Sequence, residues 1–120
     1  MNFDEAINTH IAWKKKLRDF ILNRVGAYDV NVVCQDNLCE FGKWLYVEGG
    51  RKYASFPKFN ELISVHAKFH KLAADILIKA QEGKKEEALK MLEEKSDYSQ
   101  CSSKCIMLIE KIKLKSKMVA

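Results

Sequence analysis

One proline and five glycines punctuate the whole of this 120-residue chain, and that scarcity constrains its fold more than any other feature. Inside a helix, proline costs about 3 kcal/mol and glycine about 1 kcal/mol relative to alanine, so long stretches lacking both are free to run as long helices. The apolar pattern agrees. Phe3, Ala6, Ile7, Trp13, Leu17, Phe20 and Ile21 recur at three and four, one stripe of an amphipathic helix from Asn2 to Arg24 that Gly26 ends. Residues 27–36 read as a connector, with a short β-branched run at Val30 to Val33. Asn37 is placed to cap a short helix through about Val47, stopped by Gly49 and Gly50. Pro57 suits the first turn of a third helix, where its missing N–H is not needed, and Gly83 stops that helix after Glu82. Residues 84–94 and 98–117 are again helical in composition, with Ser96 and Asp97 as a cap between them; the pattern leaves open whether they form one kinked helix or two. No paired strands with a hairpin turn and no internal repeat are visible. The fold expected is all-α, an antiparallel four-helix bundle with an additional short helix, in a single domain over residues 1–120.

Composition removes several functional classes. The net charge is +5, but Lys113, Lys115 and Lys117 supply three of those charges at one end. The other basic cluster, Lys14, Lys15, Lys16 and Arg18, lies on an ordinary helix face without the glycine and aromatic pattern of a nucleic-acid module, so no nucleic-acid partner is expected. No apolar run approaches the ~20 residues of a membrane span, and the acidic start lacks the build of a signal peptide. A cytoplasmic protein is expected, with its four cysteines as thiols or metal ligands rather than a disulfide framework.

The histidines carry the chemistry. His66 and His70 fall on the apolar stripe of the third helix with Phe59, Leu62, Ile63, Phe69, Ala73 and Leu77, and His10 belongs to the core-facing set of the first. One histidine on such a face is ordinarily a satisfied core residue. An apolar stripe covers about 100° of a helix, however, so three randomly placed histidines would all land on stripes only ~2% of the time. Burying an imidazole without partners is costly, and one shared metal would satisfy all three. The i, i+4 spacing of His66 and His70 lets one helix present two nitrogens to one ion. Ala67 and Lys68 stand where a metalloprotease motif of that spacing needs a general-base glutamate, and no histidine here follows a glutamate at three, as a di-iron carboxylate centre requires. A phosphotransfer histidine would have to be exposed, and a hemerythrin-like carrier would need more histidine and carboxylate ligands.

A thiolate is the natural fourth partner around zinc. Cys101 and Cys105, at i, i+4 on the last helix, read as small core residues, and Cys34 lies in the connector. Cys39 sits in the first turn of the short helix, where a helix N-terminus lowers a thiol pKa, and this selects it. Three histidines and one cysteine close a tetrahedral zinc, leaving no position for substrate water, so the protein is not expected to be an enzyme.

The stretch Cys39-Glu40-Phe41-Gly42-Lys43-Trp44 resembles the signature of the bacterial chemoreceptor zinc-binding domain family. So do His10 shortly before Trp13 in the first helix, and the late His66 to His70 pair. The separations of 29 residues from His10 to Cys39 and 27 from Cys39 to His66 agree with the family. The resemblance implies one zinc per chain in a sensory domain of signal transduction, a homodimer, and control of a chemoreceptor signalling domain or diguanylate cyclase, fused or associated. It implies zinc sensing in cyclase-linked members and sensing of hypochlorous acid or related signals in receptor-linked ones. Cys39 is the ligand vulnerable to oxidant or to zinc scarcity. Trp13 and Trp44 are expected to pack near the metal and Gly42 to permit a close helix approach. The alternative reading is a structural zinc-stabilised module for dimerisation or docking, in which the site does not switch. Tyr46, Tyr53 and Phe56 are the residues available for an exposed apolar patch.

Overall fold

The computed structural model describes residues 1–118, and among these every regular element is helical. Val119 and Ala120, the end of the unit expected over residues 1–120, lie outside the described residues. In chain order the elements are α1 (Phe3–Asn23), α2 (Val30–Val33), α3 (Glu40–Trp44), a π-helical segment (Leu45–Gly49), α4 (Gly50–Tyr53), α5 (Pro57–Gln81), α6 (Lys85–Lys90) and α7 (Asp97–Met118).

The ends of these helices follow from particular residues. Asn2 caps α1 by accepting the N–H of Glu5 at 3.0 Å. Arg24, not Gly26, makes the turn that ends it. Arg24 takes a left-handed φ of 55° while its guanidinium lies over the Phe20 ring and donates to the Ala80 carbonyl at 2.6 Å. A tertiary anchor here supplies what glycine was expected to supply, and Gly26 follows with its own φ of 106°. The connector holds one helical turn, α2, whose Asp29 cap accepts from Asn31 N–H at 2.9 Å. Pro57 opens α5 and Gly83, at φ 80°, follows its end, as the sequence led one to expect. The final helical stretch is two helices. Ser96 Oγ accepts the Ser99 N–H at 3.2 Å and starts α7 afresh.

The short helix departs most from expectation. Its cap is Cys39 rather than Asn37, and Gly49 and Gly50 do not stop it. Both glycines are right-handed helical, at φ −61° and −59°, and the chain passes through them on the π-helical segment into α4. Gly49 is a packing residue: a Cβ there would stand 3.0 Å from the rings of both Phe59 and Trp44.

Long-range pairs give the helix directions. Lys113 pairs with Asp4 at 2.7 Å and Lys14 donates to Ser99 at 3.2 Å, so α7 runs opposite to α1. Cys101 Sγ donates to the Val65 carbonyl at 3.3 Å, while Leu62 packs with Cys105 and Leu108, so α7 also runs opposite to α5. The run 40–53 descends between the starts of α1 and α5, with Phe41 against His10 and His66, then Trp44 against Phe3 and Phe59.

The core divides into two clusters. One gathers Leu17, Phe20, Phe69, Leu77, Leu92 and Tyr98; the other gathers Ala6, Phe41, Leu45, Tyr53, Phe59, Leu62, Leu108 and Ile112. Each fully buried side chain of this size contributes about 1.5–3 kcal/mol. Tyr53 is therefore core, 4% exposed, and not part of a surface patch, whereas Tyr46 is exposed. His10, His66 and His70 sit where the two clusters meet.

Candidate metal centre

The periodicity of α1 and α5 turns all three histidines inward, and they are 4%, 0% and 6% exposed for His10, His66 and His70. One ring nitrogen of each lies within 4.8 Å of the others. Backbone carbonyls orient two of the rings. His10 Nδ1–H donates to Ala6 at 2.6 Å and His70 Nδ1–H donates to Val33 at 2.9 Å, which leaves both Nε2 atoms as acceptors, that of His70 facing His66 and Cys39. His66 Nδ1 has no partner, and its ring is walled edge-on by Phe41, centroids 5.3 Å apart.

Cys39, at the N-cap of α3, stands against two of these histidines. Its Sγ is 3.6 Å from His66 Nε2 and 3.5 Å from His70 Nε2, and those two nitrogens are 3.2 Å apart. Tetrahedral zinc, at ~2.0–2.1 Å from nitrogen and ~2.3 Å from sulfur, separates two nitrogens by ~3.3 Å and a nitrogen from a sulfur by ~3.6 Å. Cys39, His66 and His70 thus stand at the spacings such an ion spans, His10 has a ring nitrogen within 4.8 Å of those of both other imidazoles, and the donor types suit zinc. His66 Nδ1 is buried without a partner, and burying such a polar atom beside closely spaced ring nitrogens is costly.

Electrostatics point the same way. Burial pushes His66 down to about 2, and burial also lowers His10 and His70, against the bonds from Ala6 and Val33 that raise them. Neutral imidazoles are the form a metal requires. Cys39 differs from expectation: burial raises its thiol pKa, outweighing the N–H of Gly42, which reaches Sγ at 3.2 Å. The helix N-terminus is present but the desolvation is larger.

Gly42 makes a close approach, though to a loop and not to a helix. A Cβ at this position would stand 1.7 Å from the Asp36 carbonyl oxygen. The loop 35–38 therefore lies flat against α3, clipped by a hydrogen bond from Tyr46 Oη to Asp36. Trp13 packs on Tyr28, centroids 5.7 Å apart, and lines a groove of about 760 Å³ together with Glu5, His10, Cys39, Glu40 and His70. Trp44 stands one ring away from the histidines, stacked on Phe41 at 5.9 Å. Cys101 and Cys105 are buried, and burial raises both, Cys105 to about 12, as inert core thiols.

Sequence reasoning missed the outer partners. The Ala6 carbonyl lies at i−4 from His10 and is legible from helix spacing, but the Val33 carbonyl comes from the connector and has no side-chain signal. Phe69, against His10 at 5.1 Å, was read only as core.

Helices throughout the described residues, three buried imidazoles and a half-buried thiol beside two of them define, by class, a helical domain with a candidate metal centre. The family model described as the chemoreceptor zinc-binding domain matches residues 10–77, more than half of the chain. The chain belongs to that family, a sensory and regulatory rather than catalytic one, and is a zinc-binding signal-transduction domain. No curated protein and no solved structure matches it. No helix among the described residues is long and apolar enough to cross a membrane.

Proposed function

We propose that residues 1–120 form one sensory domain, an antiparallel four-helix bundle with an additional short helix, at the start of the run 40–53, that carries the cysteine. One zinc per chain is held by Nε2 of His10, His66 and His70 and by Sγ of Cys39. The spacing of two nitrogens at 3.2 Å with sulfur at 3.5 and 3.6 Å carries this reading. When bound, the ion supplies a closed tetrahedral cross-link and no site for substrate. The residues then do three things. His10 and His70 hold fixed tautomers through Ala6 and Val33, Phe41 and Phe69 exclude water, and Cys39 ties the N-cap of α3 to α5.

Cys39 is the responsive ligand, because a thiolate alone in the set is open to oxidation and lies on the groove. Its departure under oxidant or zinc scarcity frees α3, and a chemoreceptor signalling domain or diguanylate cyclase, fused or associated, reads the change. The unit works as a homodimer in the cytoplasm.

Elemental analysis of the purified protein beside Cys39→Ala and His70→Ala tests the site. One zinc per chain in the wild type, lost in both variants, is the expected result. Metal absent from the wild type, or unaffected by either change, overturns it. Zinc retained on titration with hypochlorous acid would leave the site structural and remove the switching role.

A further inference from the structure

The segment that delivers Cys39 carries a second thiol. Of the four cysteines, Cys34 and Cys39 are the two that are not buried. Cys34 closes α2 as its C-cap, Cys39 opens α3 as its N-cap, and the four residues between them form no helix. Both ends of this loop meet one imidazole. His70 Nδ1–H donates to the carbonyl of Val33, the neighbour of Cys34, at 2.9 Å, while His70 Nε2 is 3.5 Å from Cys39 Sγ. Cys39 Sγ is also 3.9 Å from the carbonyl of Asp36, two residues from Cys34.

The two thiols are nevertheless kept on different faces. Cys34 donates to Asn31 at 3.5 Å and lines a surface depression with Gln35, Asp36, Asn37 and Tyr46. Cys39 faces the histidines and the groove. Holding Cys39 at the cluster therefore holds it away from Cys34, and letting it go removes the restraint. Five Cα-to-Cα steps permit any separation up to about 17 Å, which includes the range of about 4.4–6.8 Å that a disulfide needs. The other two thiols are buried in the core, with Cys101 bonded to Val65; Cys105 packs in the apolar cluster that Cys39 borders.

We propose that Cys34 is the resolving thiol for Cys39, so that a hydroperoxide converts the loop to a Cys34–Cys39 disulfide; this rests on the reading of Cys39 as a zinc ligand. In the first step the Cys39 thiolate attacks one peroxide oxygen. An S–O bond forms and the O–O bond breaks; the sulfur gives up two electrons, and the departing oxygen takes a proton to leave as water or an alcohol. In the second, the Cys34 sulfur gives up its proton and attacks the sulfenic sulfur. The S–S bond forms, the S–O bond breaks, and hydroxide leaves with that proton as water. The groove along α1 admits a molecule of peroxide size to Cys39. The disulfide halts oxidation before the irreversible sulfinic stage and makes the response reversible by thiols.

The test treats the full-length protein, as purified, with hydrogen peroxide, blocks it with N-ethylmaleimide under denaturing conditions and digests it with trypsin without reduction. Cleavage after Arg24 and Lys43 leaves both thiols in one peptide, residues 25–43. That peptide is expected two hydrogens lighter than its reduced form and unlabelled, with Cys101 and Cys105 still labelled; reductant restores both labelling and zinc binding. In Cys34→Ser, Cys39 is expected to reach the sulfinic acid and zinc binding is expected to be lost beyond recovery by thiols. Cys34 remaining labelled while Cys39 is oxidised, a Cys39–Cys105 bond in place of Cys34–Cys39, a bond from Cys34 to a second chain, or Cys34→Ser recovering as fully as wild type overturns the proposal. Zinc content measured before peroxide is added separates the two readings: a chain without zinc overturns the ligand assignment, while the peptide mass still decides the disulfide.

Discussion

Gly42 has no room for a side chain, because the Asp36 carbonyl oxygen occupies the place where a Cβ would stand. Gly42→Ala is expected to push the loop 35–38 off α3, cost about 1–3 kcal/mol of stability and displace Cys39. Thermal unfolding and zinc content of the variant check both effects. The histidines set a pH dependence in the metal-free protein. Their native pKa values lie below the ordinary imidazole value of 6.5, to about 2 for His66, so below 6.5 the unfolded chain binds more protons than the folded one. Stability is therefore whole above 6.5 and falls as the pH is lowered from there towards the native values. An unfolding midpoint of the metal-free protein that stays flat on acidification would contradict neutral buried imidazoles. At this scale the sequence was most informative for the histidines, since helical periodicity alone turns His10, His66 and His70 inward. It misjudged the pKa of Cys39, because the desolvation of a thiol depends on what packs over it, and no local pattern records that.

Among the helices, the long ones were legible and the short ones were not. The stripes of α1 and α5 repeat for five turns or more, and Pro57 and Gly83 mark the ends of α5 by backbone chemistry alone. The run 40–53 was misread because a Gly-Gly pair is ordinarily a stop, whereas here one glycine exists to admit the rings of Phe59 and Trp44. A contrast between the two positions tests this. Gly49→Ala is expected to lose about 1–3 kcal/mol through overpacking. Gly50→Ala, whose added Cβ meets only the Leu45 carbonyl at 3.4 Å, is expected to be neutral or to gain up to about 1 kcal/mol of helix propensity. Thermal denaturation of both variants measures the difference. Equal losses at both sites would mean that glycine serves the π-helical backbone itself rather than the packing beneath it.

Over the whole molecule, 50 × 26 × 20 Å in extent, the polar cluster sits between two apolar clusters. Removing zinc with a chelator is expected to loosen the structure unevenly. Helices as short as α3 and α4 are marginal without tertiary support, and the proposed tie through Cys39 would add to the packing of Phe41, Trp44 and Tyr53 on α5. Amide hydrogen exchange should therefore rise first in residues 40–53, while the Leu17, Leu77 and Tyr98 region keeps its protection. Uniform loss across the chain would argue against a local role for the ion. The groove adds a kinetic asymmetry. It is lined by His10, Cys39 and His70 but not by His66, which is fully buried. An ion held by the four proposed ligands would be open to a chelator on the side of His10, Cys39 and His70 and covered on the side of His66. Metal exchange through that open side is expected to speed up with the concentration of the competing chelator, and a rate that stays constant as the chelator is raised would mean that the ion leaves before the competitor arrives.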